Sequence, residues 1–130
     1  MPEGWCVRSR DAISLAASEP EPDAAVVRGN RRTYADHHPG PADLALVVEV
    51  ADVSLQRDRT FKKRLYAQAG VPGYWIVNLA ERCVEVFTDP SAALDPPDYR
   101  QHRVFGASEE LPLVVEGREA GRVAVTTILP

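Results

Sequence analysis

Glu49 lies near the end of an aliphatic run, Leu44 to Val50 (LALVVEV), that has no helical period. A carboxylate in a buried strand costs free energy unless it is hydrogen-bonded or binds a cation. The amphipathic segment that follows carries Asp58 and Lys62, four positions apart on the face that ought to be apolar. Two arrangements would satisfy them. Asp58 and Lys62 neutralise each other at the edge of the interface, or Lys62 reaches into a site shared with Glu49. A second acid follows from strand geometry. If Asp23–Arg28 and Leu44–Val50 pair antiparallel, the start of the first lies beside the end of the second, so Asp23 meets Glu49. Asp43 stands six positions before Glu49 on the same strand, and at ~3.3 Å per residue that is roughly 20 Å, too far to share an ion. Two carboxylates and a lysine around a hard divalent cation make a site for phosphodiester cleavage. Oxygen ligands suit Mg²⁺ or Mn²⁺. The cation polarises the phosphate and lowers the pKa of an attacking water, while the lysine positions that water or neutralises developing charge.

The elements that must hold these groups can be read along the chain. Trp5 to Leu15 reads as an early strand or ragged hairpin, and ASEPEPD as an extended loop leading into the strand Asp23–Arg28. Gly29 to Ala42 is a long loop with one helical turn, a length that tends to be functional or mobile. Leu44–Val50 reads as a strand buried on both faces. Ser54 is the expected N-cap of a helix running to about Ala69, stopped by Gly70 and Pro72. On that helix Leu55, Asp58, Lys62, Leu65, Tyr66 and Ala69 share the sheet-facing side, with Phe61 at its margin and Arg57, Arg64 and Gln68 in solvent. A right-handed crossover makes Gly73–Asn78 parallel to Leu44–Val50. Cys83–Thr88 alternates as a half-buried hairpin partner, Tyr99–Val104 forms an edge strand, and Arg122–Leu129 is a final β segment, with LPLVVEG unassigned.

The 130 residues are enough for one domain and too few for two. With 45% hydrophobic and 26% charged residues, the composition is that of a soluble globular protein. No apolar stretch approaches the roughly 20 residues of a membrane span, and MPEGWCVRSR lacks a secretory h-region, so the expected location is the cytoplasm, with no membrane contact. A net charge of −4 argues against a protein that coats nucleic acid. Arg57, Arg59, Lys62, Lys63 and Arg64 nevertheless crowd one helix, opposite in sign to Glu19, Glu21 and Asp23; such runs are ordinarily solvated faces. Cys6 and Cys83 lack zinc-site spacing and read as buried thiols. His37-His38 reads as a solvent-exposed turn. Neither a G-x-S-x-G nucleophile nor a glycine-rich phosphate loop occurs.

The stretches PEPDAAVVRG, ADLALVVEVADVSLQRDRTFKKRLYAQAGVPGYWIVNL and CVEVFTDP, in that order, resemble the Uma-two family of restriction-endonuclease-like proteins, within the PD-(D/E)XK nuclease superfamily. The likeness runs over nearly the whole chain from Pro2. It implies an α/β restriction-endonuclease-like fold, a mixed central sheet with one main crossover helix. It also implies a Mg²⁺- or Mn²⁺-dependent endodeoxyribonuclease, a hydrolase acting on DNA, with Asp23 and Glu49 as metal ligands. Lys62 is then the catalytic lysine moved from strand to helix, and Asp58 and Arg59 are supporting residues. Three departures accompany the resemblance. The superfamily's lysine position, two after Glu49, is Ala51. Gly73 replaces the glutamate usual before Tyr-Trp. Family members generally have a longer N-terminal region with a helix on the sheet, so the resemblance leads one to expect a truncated chain whose exposed sheet face is covered in a homodimer. The alternative function is a catalytically silent, homo-oligomeric or nucleic-acid-binding member of the same fold.

Overall fold

The computed structural model describes every residue except Met1, Ala17, Val53, Ser54 and Pro130, together with the side chain of Arg31. The expected N-cap, Ser54, lies outside the described residues. Six strands form one sheet in sequence order: β1 (Trp5–Ser9), β2 (Ala24–Arg28), β3 (Leu44–Ala51), β4 (Gly73–Asn78), β5 (Cys83–Ser91) and β6 (Asp98–Gly106). Only β3 and β4 run parallel, as the crossover requires; every other neighbouring pair is antiparallel. The result is a mixed α/β architecture, mostly antiparallel, with one main helix. The long loop before β3 contains two short 3₁₀ turns, Arg31–Tyr34 and Pro41–Asp43, where one helical turn was expected.

Alternation along the strands divides the core into two layers. Ala25, Val27, Val47, Tyr74, Ile76 and Phe87 face the crossover helix with Tyr66, Ala67 and Val71. Val26, Leu46, Trp75, Val77, Val84 and Phe105 face the other way. That second face is covered by a hairpin that the sequence reading misplaced. β7 (Glu110–Val115) contains the unassigned LPLVV, and β8 (Arg118–Ala124) begins before the expected Arg122. Val125–Ile128 is a helical turn rather than strand. Leu111, Val115, Val125 and Leu129 seal the back of the sheet. Much of that face is therefore covered within the chain, and in Cys83–Thr88 only Val86 and Thr88 are half-buried as expected, while Cys83, Val84, Glu85 and Phe87 are buried.

The crossover helix is α-helical over Leu55–Arg57, widens to a π turn over Asp58–Lys62 and returns to α over Lys63–Gln68. Two interactions favour the widening. The Asp58 carbonyl accepts the Lys63 amide five residues on, as well as the Tyr74 hydroxyl at 3.1 Å. The Thr60 hydroxyl donates back to the Gln56 carbonyl at 2.8 Å, a contact that bends helices. A wider turn brings Arg59 round beside Asp58, so both sheet-facing and flanking positions reach the strands.

Arg59 uses this reach. Its guanidinium grips Glu85 through Nε at 2.9 Å and Nη2 at 2.6 Å, and Asn78 Nδ2 donates to the same carboxylate at 3.2 Å. Glu85 is only 3% exposed. Burial pushes its carboxyl up, but the Arg59 and Asn78 hydrogen bonds outweigh burial and hold it below the ordinary range. A depressed carboxyl stabilises the fold above its unfolded pKa, about 4.3, and that contribution is lost as pH falls through the folded value.

Two outcomes test this packing. Leu111→Ala should lower unfolding free energy by about 2–5 kcal/mol, the cost of a cavity under the hairpin; denaturant titration measures it, and a loss below about 0.5 kcal/mol would mean the hairpin does not seal the core. Glu85→Gln should unfold earlier than wild type at pH 7, with the gap closing as pH drops below about 4. A gap independent of pH would remove the Arg59–Glu85 charge pair from the explanation.

Candidate metal centre

β2 and β3 pair with Ala24 opposite Val48 and Ala25 opposite Val47. One step further brings Asp23 opposite Glu49, as expected from an antiparallel pair. The Glu49 side chain lies on the helix side, as does Val47 two residues before it, and Asp23 stands two residues before the helix-side Ala25. The contacts agree. Asp23 Oδ2 accepts the Val50 amide at 2.7 Å, and Glu49 Oε1 accepts the Asp23 amide at 3.4 Å. Each acid thus meets the backbone of the other's strand. Asp43, in its 3₁₀ turn at the far end of β3, caps the Gly40 amide at 2.9 Å and takes no part.

The helix supplies the counter-charges. Lys62 Nζ lies 3.2 Å from Glu49 Oε2 and 3.3 Å from Asp58 Oδ1. The two arrangements left open by the spacing therefore coexist: one ammonium bridges both carboxylates. Tyr66, one turn further, donates its hydroxyl to Glu49 Oε2 at 3.0 Å. Ala51, two positions after Glu49, is buried in the helix-side core.

Electrostatics follow burial. Glu49 is 2% exposed, and its desolvation raises the carboxyl above the ordinary range, against the pull of Lys62 and Tyr66 and with a further push from Asp23. The Lys62 side chain keeps 28% of its exposure. Burial alone would lower its pKa, but Glu49 and Asp58 outweigh that and raise it, so the ammonium stays charged.

Arg59, expected to support the carboxylates, engages Glu85 instead. Glu49, Ile76 and Glu85 form one transverse row across β3, β4 and β5. Lys62 stands over one end of the row and Arg59 over the other, with Ile76 between. The sequence reading assigned no role to Glu85, Asn78 or Tyr66. A signal existed for two of them: Glu85 is a charge at an inward position of an alternating strand, and Tyr66 follows Lys62 by four on the sheet-facing side. His37 and His38 are exposed as expected, with His37 Nδ1 2.9 Å from Asp36. Cys83 is buried, and burial pushes its thiol up, whereas Cys6 is only half-buried.

The departure at Gly73 has a steric setting. A Cβ there would lie 3.2 Å from Leu46 Cδ1 and 3.4 Å from the Ala45 carbonyl oxygen, in the layer behind the sheet. A glutamate at this position would leave on the opposite face from Glu49, so its replacement removes nothing from the carboxylate pair.

Among the described residues no helix is long and apolar enough to cross a membrane. No curated protein matches the chain. Among solved structures, a crystal structure titled as a "putative nuclease belonging to DUF820" from Anabaena variabilis superposes with a TM-score of 0.60 at 10% identity, over 95% of this chain and 66% of that one. That likeness concerns the fold, and this chain spans about two thirds of that protein's length. Residues 2–125 match the family model Uma2, described as "Putative restriction endonuclease", and the chain belongs to that family.

Proposed function

We propose that the chain is a divalent-metal-dependent endonuclease that hydrolyses DNA phosphodiester bonds with Asp23, Glu49 and Lys62. The observation that carries this reading is the meeting of two acids from different strands at one level of the sheet, with an ammonium 3.2 Å from one of them. Membership of a family of restriction-endonuclease type supports it.

The donor set suits a small hard cation. Glu49 Oε2 is taken by Lys62 and Tyr66, and Asp23 Oδ2 by the Val50 amide. Glu49 Oε1, with only a 3.4 Å amide contact, and Asp23 Oδ1 remain as hard oxygen donors. Mg²⁺ and Mn²⁺ are commonly held by one or two carboxylates and otherwise by water and phosphate. Among the described residues no group of three His, Cys, Asp or Glu side chains is placed to hold a metal ion, so water and phosphate would have to complete the coordination of this pair. A positive charge between the acids would also relieve the Asp23–Glu49 repulsion that helps to raise the Glu49 carboxyl. When bound, the cation would polarise the scissile phosphate and acidify a coordinated water.

Lys62 acts as a cation. Its raised pKa suits it to orienting the phosphate and neutralising charge developing in the transition state, and not to removing a proton. Asp58 holds the same ammonium at 3.3 Å, so Lys62 can release Glu49 toward substrate without losing both partners. The outer helix surface offers a landing place for a polyanion despite the net charge of −4. Arg57 and Arg64 are exposed, and Arg57 lies 5.5 Å from the centroid of Phe61, itself 58% exposed.

Purified protein should nick supercoiled plasmid with Mg²⁺ or Mn²⁺, and Glu49→Ala should remove the activity; cleavage no greater than that variant's under any divalent metal would overturn the assignment. Lys62→Met should cut kcat by about 10²–10³, the loss typical of one charge-stabilising donor. The double variant Arg57→Glu/Arg64→Glu should weaken DNA binding and flatten its salt dependence, with Mn²⁺ affinity unchanged. Fluorescence anisotropy at several salt concentrations checks this, and an unaltered slope would move the DNA path off this helix.

A further inference from the structure

We propose that Tyr66 is a positioning residue of the metal centre, holding Glu49 so that one carboxylate oxygen always faces Asp23. This inference rests on the reading of Asp23 and Glu49 as metal ligands. Four tyrosines occur in the chain, and the hydroxyls of three donate to backbone carbonyls: Tyr34 to Arg28, Tyr74 to Asp58 and Tyr99 to Val71. Tyr66 alone of the four donates to a side chain, and that side chain is the buried acid of the candidate centre.

The geometry divides the work of the Glu49 carboxylate between its two oxygens. Oε2 receives the Tyr66 hydroxyl at 3.0 Å and the Lys62 ammonium at 3.2 Å, both from the helix. Oε1 is thereby turned toward Asp23, whose amide lies 3.4 Å away. The two donors differ in how firmly they can hold. Lys62 is divided between Glu49 and Asp58, is partly exposed, and must meet the phosphate during reaction. The Tyr66 ring is fully buried, in tilted contact with Tyr74 at 5.1 Å between centroids. Tyr66 thus keeps Glu49 oriented while the ammonium moves between acid and substrate. An outer-shell donor on a metal-binding carboxylate typically changes metal affinity by about 10–100-fold.

Mn²⁺ calorimetry on the full chain separates the possibilities, with Tyr99→Phe as control. That variant also loses a buried hydroxyl contact, at 2.7 Å to the Val71 carbonyl and not to an acid. Glu49→Ala should abolish specific Mn²⁺ binding. Tyr66→Phe, which fills the same space, should raise Kd by about 10-fold or more, while Tyr99→Phe keeps the wild-type value. In metal-free denaturant melts the two phenylalanine variants should lose stability to a similar extent, so a purely structural role for Tyr66 would leave Kd where it was. Water-proton relaxation should report more water on Mn²⁺ in Tyr66→Phe, where a carboxylate oxygen has swung away. Loss of binding in Glu49→Ala with a wild-type Kd in Tyr66→Phe would overturn the role of Tyr66 alone. Wild-type protein that binds no Mn²⁺, or Glu49→Ala that binds it normally, would overturn the metal reading and the role of Tyr66 together.

Discussion

The buried Glu49 carboxylate is the main constraint on the helix-facing side of this sheet. Glu49 sits in a sheet face otherwise lined by Val47, Ala51, Tyr74 and Ile76, where an unpartnered carboxylate would cost several kcal/mol. Its needs explain the neighbours it has: an ammonium from Lys62, a phenol from Tyr66 and an amide from Asp23. Even so, the carboxyl stays above its ordinary range, because desolvation outweighs the help it receives. An apolar residue there would pack with less strain. The proposed divalent cation would supply what the protein's own partners leave short, a positive charge close to the carboxylate.

The other charged position on that face is built on the opposite balance. Glu85 lies across Ile76 from Glu49, equally buried, yet it has a forked guanidinium and an amide and sits below the ordinary range. Oversatisfied, it has little capacity left for a ligand and works as an anchor for the helix. The two ends of one row therefore have different uses: Arg59 on Glu85 fixes the helix, and the helix so fixed presents Lys62 and Tyr66 to Glu49.

Much of this was legible because it depended on local pattern. The aliphatic run predicted β3, the crossover length predicted its parallel neighbour, and antiparallel pairing brought Asp23 to Glu49 by counting alone. The resemblance in order and spacing pointed to the family that the comparison bears out. What escaped was what depends on distant partners. The wheel at 100° per residue cannot represent a π turn and gives Arg59 no place, so its grip on Glu85 is not visible there. LPLVV was obscured by Pro112, which β7 accommodates in a two-stranded ribbon with a register shift between Leu113 and Val114. The polar and glycine-containing Arg118–Ala124 has no apolar alternation to betray it, since one face of the ribbon is open to water.

The π turn also limits how this helix can vary. A π turn holds one residue more than the α turn it replaces. Removing one residue here would therefore close a regular α turn and leave the helix on either side nearly in phase, so Lys63–Gln68 would keep its face on the sheet. What the deletion would take away is the extra position inside the turn: Asp58, Arg59 and Lys62 would compete for the angular room of a shorter turn, and one of the contacts to Glu49 and Glu85 would be given up. The irregular turn is where this helix directs one more side chain at the sheet than a regular turn of the same rise.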